Sequence, residues 1–159
     1  MKRIDDWQIK NDMQTAIIDG EESVTYQELE ERVQERAKIL AGIPQKVILA
    51  PMSNAIDQLI NFLALIRADK VAVPVNSGHS DQGLQDMLNQ FEDPLVLTDI
   101  HSISQKAVVR FDSDEYASPS DLAFIGFTSG TTGQPKGYRR THQSWVKSFE
   151  GTNALIRQS

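Results

Sequence analysis

Short, strongly apolar runs alternate with segments of helical periodicity along most of this chain, and that alternation limits its fold more than any other feature. The runs are rich in Val, Ile and Leu and too short to be helices, so they predict buried strands. They lie at 46–51, 71–75, 95–97, 108–110 and 122–127. Because parallel neighbours need crossover connections, usually helical, the pattern predicts an α/β fold with a layered parallel or mixed sheet and flanking helices.

Four segments before, between or after these strands carry apolar side chains every three or four residues and predict helices. The first, 25–40, begins with Thr25 and Glu28 in capping-box spacing. The second, 54–67, is apolar nearly all round and should be buried on more than one side. Ser80 can cap the third, whose apolar stripe is Leu84, Met87, Leu88 and Phe91. The fourth, 141–156, has a predicted inner face of Trp145, Phe149, Thr152 and Ile156.

Composition excludes several functional classes. The chain of 159 residues has no cysteine, which removes disulfides, thiolate nucleophiles and zinc–cysteine sites and fits a cytoplasmic protein. Its net charge of -6 disfavours nucleic acid as a partner. No apolar stretch is long enough to insert into a membrane. The three histidines, His79, His101 and His142, are scattered without metal-ligand spacing, so we predict no metal site made by the protein alone.

Residues 128–137 read Thr-Ser-Gly-Thr-Thr-Gly-Gln-Pro-Lys-Gly, and they meet three demands of polyphosphate binding together. Glycines let backbone N–H groups approach an anion closely, hydroxyls donate hydrogen bonds, and Lys136 supplies positive charge. Arg139 and Arg140 follow and predict a local positive patch on an acidic protein. The glycines are Gly130, Gly133 and Gly137, and the hydroxyls are those of Thr128, Ser129, Thr131 and Thr132.

Three other interpretations of this loop are weaker. A flexible surface turn is the default for such a composition, but the loop directly follows an apolar strand and ends in Gln-Pro-Lys-Gly, unlike a free linker. The spacing of a P-loop NTPase, G-x-x-x-x-G-K-[ST], does not fit these residues. The nucleophile elbow G-x-S-x-G is missed by one position, which disfavours a serine hydrolase.

The loop and its preceding strand resemble the signature phosphate loop of the adenylate-forming enzyme superfamily. The resemblance implies that the β- and γ-phosphates of ATP are held by Thr128, Ser129, Gly130, Thr131, Thr132, Gly133 and Lys136. The likeness extends over nearly the whole chain, including 24–29, 62–75 and 95–99. Two departures stand out. Ala68-Asp69-Lys70 replaces a turn that often contains glycine, and Tyr138-Arg139-Arg140 replaces aliphatic residues ahead of the Thr141-His142 pair.

The resemblance implies an enzyme that joins a carboxylic acid to AMP, using ATP and Mg²⁺, and passes the acyl group to a thiol. Our leading expectation is an acyl-CoA synthetase acting on a fatty or related acid with coenzyme A. The alternatives are a peptide-synthetase adenylation domain that serves a carrier-protein thiol, and a non-catalytic binding module that kept the loop. A hydrolase or NTPase with a chance loop match is the least favoured.

The resemblance also predicts that 1–159 forms a single partial domain, the N-terminal portion of the family's large domain. The family's adenine-stacking motif, ribose-binding aspartate and catalytic lysine all lie beyond such a segment. No complete catalytic set is therefore expected in this chain. By itself it should form no acyl-adenylate and bind ATP weakly or not at all.

Overall fold

A computed structural model of the chain describes residues 13–51, 54–76, 78, 80–97, 121–128 and 136–156, with only the backbone described at 153–156. Seven strands and four helices are found in these residues. Their bounds are β1 Thr15–Asp19, β2 Glu22–Thr25, α1 Tyr26–Ala41, β3 Val47–Pro51, α2 Ala55–Arg67, β4 Val71–Val75, α3 Asp81–Leu88, β5 Leu95–Val96, β6 Leu122–Thr128, β7 Lys136–Thr141 and α4 His142–Ile156.

The main sheet has five strands in the order β5-β3-β4-β6-β7. Strand β3 pairs in parallel with both β4 and β5, and β4 pairs in parallel with β6. Only the last pair, β6 with β7, is antiparallel. The sheet is therefore mixed, which confirms the predicted fold class.

The two faces of this sheet carry separate apolar clusters, because successive side chains of a strand point to opposite faces. On one face Ile48 and Phe124 pack with helices α1 and α2, and Trp145 of α4 packs against the same cluster. On the other face Leu49 and Ile125 pack with Met87 of α3. The sheet is thus a middle layer with helices on both sides.

The predicted helix caps are confirmed. The Thr25 hydroxyl accepts from the Glu28 N–H, and the Glu28 carboxylate accepts from the Thr25 N–H at 2.8 Å. That backbone bond is the main reason that the pKa of Glu28 lies below its usual value. Ser80 accepts from the Gly83 N–H at 3.1 Å, and Asn54 caps α2 in the same way. Each such cap contributes roughly 0.5–2 kcal/mol.

Two ion pairs join α1 to α2. Arg67 contacts both carboxylate oxygens of Glu30, at 2.5 and 3.1 Å. Arg36 contacts the Asp57 carboxylate at 2.5 Å and donates to the Asn61 side chain at 2.7 Å. These bonds lie at the partly exposed edge of the contact between the two helices. The buried residues of α1 are Leu29, Val33, Ala37 and Leu40.

The turn after α2 has an unusual backbone. Asp69 has a φ of 57°, in the left-handed region that favours glycine. Its conformation lets the Lys70 N–H donate to the Leu65 carbonyl at 2.9 Å and closes the helix. The departure at Ala68-Asp69-Lys70 therefore keeps a glycine-type turn without a glycine.

Several sequence predictions need correction. The hairpin β1–β2 was not predicted, and its Val24 is fully buried. The predicted inner face of α4 is wrong at Phe149, which is 50% exposed, and at Thr152, which is exposed. Helix α2 packs against α1 and against strands β3 and β4, so it is buried on more than one side as predicted, although Leu59 is 38% exposed. The predicted strand at 108–110 lies outside the described residues.

Candidate phosphate-binding hairpin

Strands β6 and β7 form a hairpin whose tip is the predicted phosphate loop. Thr128, the last residue of β6, pairs with Lys136, the first residue of β7. The Thr128 hydroxyl lies 3.4 Å from the Lys136 carbonyl oxygen, a long hydrogen bond across the hairpin. The sequence prediction treated everything from Thr128 to the fourth helix as loop, so β7 is a correction.

The end of the hairpin that carries Thr128 and Lys136 lies at the end of the sheet where α/β proteins bind ligands. Strand β6 runs parallel to β4, so Thr128 lies at the carboxyl end of the parallel strands. In open α/β sheets ligands bind outside the carboxyl ends of the strands. Both Thr128 and Lys136 are exposed there and can reach an anion from solvent.

Only part of the predicted site can be located. Thr128 and Lys136 are in the described part of the chain, on opposite strands of the hairpin. The remaining predicted phosphate ligands, Ser129, Gly130, Thr131, Thr132 and Gly133, lie outside the described residues.

The positive patch predicted around Lys136 is divided between two faces of β7. Lys136 pairs with Thr128 and Arg140 pairs with Phe124, so these two cations share the face of β6 that carries Phe124. Arg139 pairs with Ile125 and is directed to the opposite face. Strand alternation therefore separates Arg139 from its two neighbours.

Two consecutive cross-strand residue pairs, or rungs, of the β6–β7 hairpin each join a glycine to an aromatic residue. They lie next to the pair formed by Thr128 and Lys136. Gly126 pairs with Tyr138, and a Cβ added at Gly126 would lie 2.3 Å from the ring carbon Cζ of Tyr138. Gly137 pairs with Phe127, and a Cβ added at Gly137 would lie 3.3 Å from ring atom Cε1 of Phe127. The two rings lie on opposite faces of the hairpin. Sequence analysis noted Tyr138 only as a departure and did not identify Gly126 as its partner.

Helix α4 follows β7 without a linker. The Thr141 hydroxyl accepts from the Ser144 N–H, and the Ser144 hydroxyl accepts from the Thr141 N–H, both at 3.1 Å. His142 is 1% exposed, and its backbone N–H donates to the Asp121 backbone carbonyl at 3.2 Å. His142 is thus packed inside the described fold, whereas His79 and His101 lie outside the described residues.

An apolar pocket of about 200 Å³ lies between α2 and α4 on the Phe124 face of the sheet. Trp145 forms one wall and stands edge-on to Phe62 at 5.2 Å between ring centroids. The half-exposed Phe149 stacks on the other side of Trp145 at 5.8 Å. The lining residues are Ala50, Pro51, Gln58, Leu59, Asn61, Phe62, Ala72, Pro74, Phe124 and Trp145.

Neither a metal cluster nor a membrane helix is found within the described ranges. No group of three or more His, Cys, Asp or Glu side chains there is placed to hold a metal ion. None of the helices in that part of the chain combines the length and apolarity needed to cross a membrane.

Comparison with known families shows which family the chain belongs to. The profile of the family described as AMP-binding enzyme matches residues 5–158, nearly the whole chain and all of the hairpin. The chain belongs to the AMP-binding enzyme family. Enzymes of this family use ATP with Mg²⁺ to adenylate carboxylic acids, so the resemblance drawn from residues 128–137 is confirmed at the level of the family.

Two curated relatives of this AMP-binding enzyme are synthetases whose own chains are much longer than this one. Tyrocidine synthase 3 of Brevibacillus parabrevis is 28% identical over 159 residues, which cover 86% of this chain and 2% of the relative. A polyketide synthase-nonribosomal peptide synthetase hybrid of Aspergillus japonicus is 26% identical over 174 residues, covering 97% of this chain and 4% of the relative. The chain thus spans only a small part of these proteins.

Solved structures share the fold of this AMP-binding enzyme. The N-terminal subdomain of Klebsiella oxytoca NpsA, in complex with 3-hydroxyanthranilyl-AMSN, matches with a TM-score of 0.66 and 24% identity over 82% of this chain and 37% of that chain. The o-succinylbenzoate CoA synthetase of Bacillus subtilis matches with a TM-score of 0.64 and 22% identity over 81% of this chain and 39% of that chain. At these identities the likeness establishes the fold alone.

Proposed function

We propose that the protein activates an amino acid by adenylation, as the adenylation domain of a peptide synthetase does, and that this chain supplies its phosphate-binding hairpin. The proposal rests on the family match over residues 5–158, together with the peptide synthetases among the relatives. This favours what sequence analysis held as an alternative over the acyl-CoA synthetase that it expected first.

The hairpin fits the chemistry of this reaction. An oxygen of the substrate carboxylate attacks the α-phosphorus of ATP, the bond to the bridging oxygen breaks, and pyrophosphate leaves with the added negative charge. The Lys136 ammonium and the Thr128 hydroxyl face outward at the hairpin tip, where they can hold that leaving group. We propose that backbone N–H groups and hydroxyls of the loop between them complete the set. Mg²⁺ bound to the phosphates would neutralise part of their charge.

Such donors matter most in the transition state, because fixed donors aimed at developing charge need no reorganisation during the reaction. The β6–β7 pairing supplies that fixity at both ends of the loop. The segment 1–159 is proposed to be the N-terminal portion of the large domain, and the remaining substrate contacts would come from other parts of that domain.

Two thiols are candidates for the acceptor of the acyl group. A carrier-protein thiol is proposed first, because peptide synthetases are among the relatives. Coenzyme A is the second candidate, supported by the shared fold of a CoA synthetase. Supplying the adenylating protein with free coenzyme A or with a phosphopantetheine carrier, and measuring which one takes up the acyl group, distinguishes them.

Lys136→Ala in the whole protein tests the phosphate-binding role. We expect substrate-dependent exchange of pyrophosphate into ATP to fall by roughly 10²- to 10³-fold, the loss typical of one preorganised donor. Lys38→Ala is the matched control, because it removes the same charge from the last turn of α1. Exchange at the original rate in Lys136→Ala would refute the proposed role of the hairpin.

A further inference from the structure

We propose that Tyr138 is a positioning residue for nucleotide binding. Its ring lies across Gly126, fixes the pairing of β6 and β7 just below the hairpin tip, and so sets the separation of Thr128 and Lys136. The inference rests on the proposed function. It assigns a role to a residue outside the predicted set of phosphate ligands.

The first step is the rung geometry. Tyr138 pairs with Gly126, two residues along each strand from the pairing of Lys136 with Thr128. A Cβ added at position 126 would lie 2.3–2.6 Å from the ring carbons Cζ and Cε1 and the hydroxyl oxygen of Tyr138, so only glycine leaves room for the ring there. An aromatic side chain over a cross-strand glycine covers backbone that would otherwise be open to water.

The second step is the anchoring of that ring. Tyr138 stands edge-on to Phe124 at 6.1 Å between centroids, with the ring planes at 82°. Phe124 contacts Trp145 of α4 at 4.3 Å and Phe62 of α2 at 5.7 Å. Edge-to-face pairs are favoured by the charge distribution of the two rings, beyond the area that they bury. A continuous set of aromatic rings therefore joins the hairpin to the helices of one layer.

The third step is the opposite face. Phe127 covers Gly137 on the adjacent rung and stands edge-on to Phe91 at 6.2 Å, on the side of the sheet where α3 packs. The hairpin is thereby held from both faces just below its tip. Without Tyr138 one of these two contacts is lost, and β7, as an edge strand, has no further strand in the main sheet as described to hold it in place.

Tyr138→Ala in the whole protein tests the inference through steady-state kinetics of pyrophosphate exchange. Loss of position at the loop ends should lower kcat/KM for ATP by about 10- to 100-fold, mainly through KM, because displacements near 1 Å have effects of that size. KM for the acid substrate should stay unchanged. Tyr138→Phe keeps the ring and should restore wild-type kinetics. Tyr26→Ala, which removes another exposed tyrosine, is the matched control.

Gly126→Ala gives an independent route to the same state. Its methyl group must push the Tyr138 ring away, so the single variant should reproduce the kinetic defect of Tyr138→Ala. In the Tyr138→Ala background the same methyl group meets no ring and should add no further loss. This non-additivity is the signature of a shared contact.

Circular dichroism at the assay temperature confirms that each variant is folded. If Tyr138→Ala or Gly126→Ala lowers the unfolding temperature but leaves kcat and KM for ATP unchanged, the ring is merely structural and the inference is overturned. Additive effects of the two substitutions would overturn it equally. If Lys136→Ala is also without effect, the proposed function itself has failed; if only Lys136→Ala is defective, the positioning role alone has failed.

Discussion

Asp69 holds a left-handed backbone at the end of α2, and its side chain offsets part of that cost. The conformation costs an L-residue roughly 1–2 kcal/mol, less for Asp or Asn, whose short polar side chains bond locally. The Asp69 carboxylate lies 2.5 Å from the Lys46 ammonium, an exposed pair worth under about 1 kcal/mol. We therefore expect Asp69→Ala to lower the free energy of unfolding by about 1 kcal/mol, and Asp69→Gly to be neutral or stabilising.

Urea denaturation of the purified chain measures both variants. Lys46→Met is the control, because it removes the ion pair and leaves the backbone angle alone. Equal stability of the Ala and Gly variants would show that the left-handed conformation carries no cost at this position.

At the same scale, sequence reasoning found the residues whose signal is local. Thr25, Glu28 and Ser80 cap helices within three residues of themselves, so their spacing predicts their bonds. Asp69 and Gly126 escaped prediction for opposite reasons. Nothing in Ala-Asp-Lys marks a positive φ, and Gly126 acquires its meaning only from a tyrosine twelve residues away on another strand.

Between helices α1 and α2, the Asp57 carboxylate links stability to pH. Hydrogen bonds from Arg36, and after them from Asn54, hold the pKa of Asp57 below its usual value. A carboxyl whose pKa is lowered by folding stabilises the fold above its unfolded pKa, and that stability is lost as pH falls through the folded pKa. Because the side chain is 40% exposed, we expect only about 0.5 kcal/mol.

The test compares Asp57→Asn with the original chain by urea denaturation between pH 7 and pH 3. The stability difference should be present near neutral pH and shrink as the solution becomes acidic. Glu35→Gln, an exposed carboxylate on α1, is the control. A difference that stayed constant with pH would mean that the charge of Asp57 plays no part.

Strands were predicted where burial on both faces makes the run continuously apolar, as in β3, β4 and β6. Strand β7 was missed because its sequence, Lys-Gly-Tyr-Arg-Arg-Thr, has no apolar alternation. Its pairing depends on the neighbouring β6, which a local pattern does not reveal. The same holds for β1, Thr-Ala-Ile-Ile-Asp, and β2, Glu-Ser-Val-Thr, which are short and have no strict apolar alternation.

Across the whole molecule the two helical layers are unequal. Helix α2 buries five residues, whereas α3 has eight residues and buries only Met87. Elements with few buried contacts open at lower free energy than the global transition. Hydrogen exchange followed by mass spectrometry should therefore show amides of α3 exchanging before those of α2, β3 and β4. Equal protection of α3 and α2 would mean that the two layers unfold as one unit.

The fold class was predictable at this scale because alternating strands and helices leave few architectures. Strand order was not, since it depends on which distant runs pair. The family was predictable because the Gly/Thr-rich loop combines donors, conformational freedom and charge in ten residues. The nature of the acid was not, because a sequence pattern that fits phosphates is the same whichever acid is activated.

Strand β7 is the outermost strand of the main sheet among the described residues, and an open sheet edge can template the addition of another chain. Lys136 and Arg139 are exposed along this edge strand, and Arg140 follows them. Like charges on two approaching copies repel, so the same cations that suit an anionic ligand also discourage edge-to-edge polymerisation. Solubility and ligand affinity are thus constrained by one short run of residues, and selection on either acts on both.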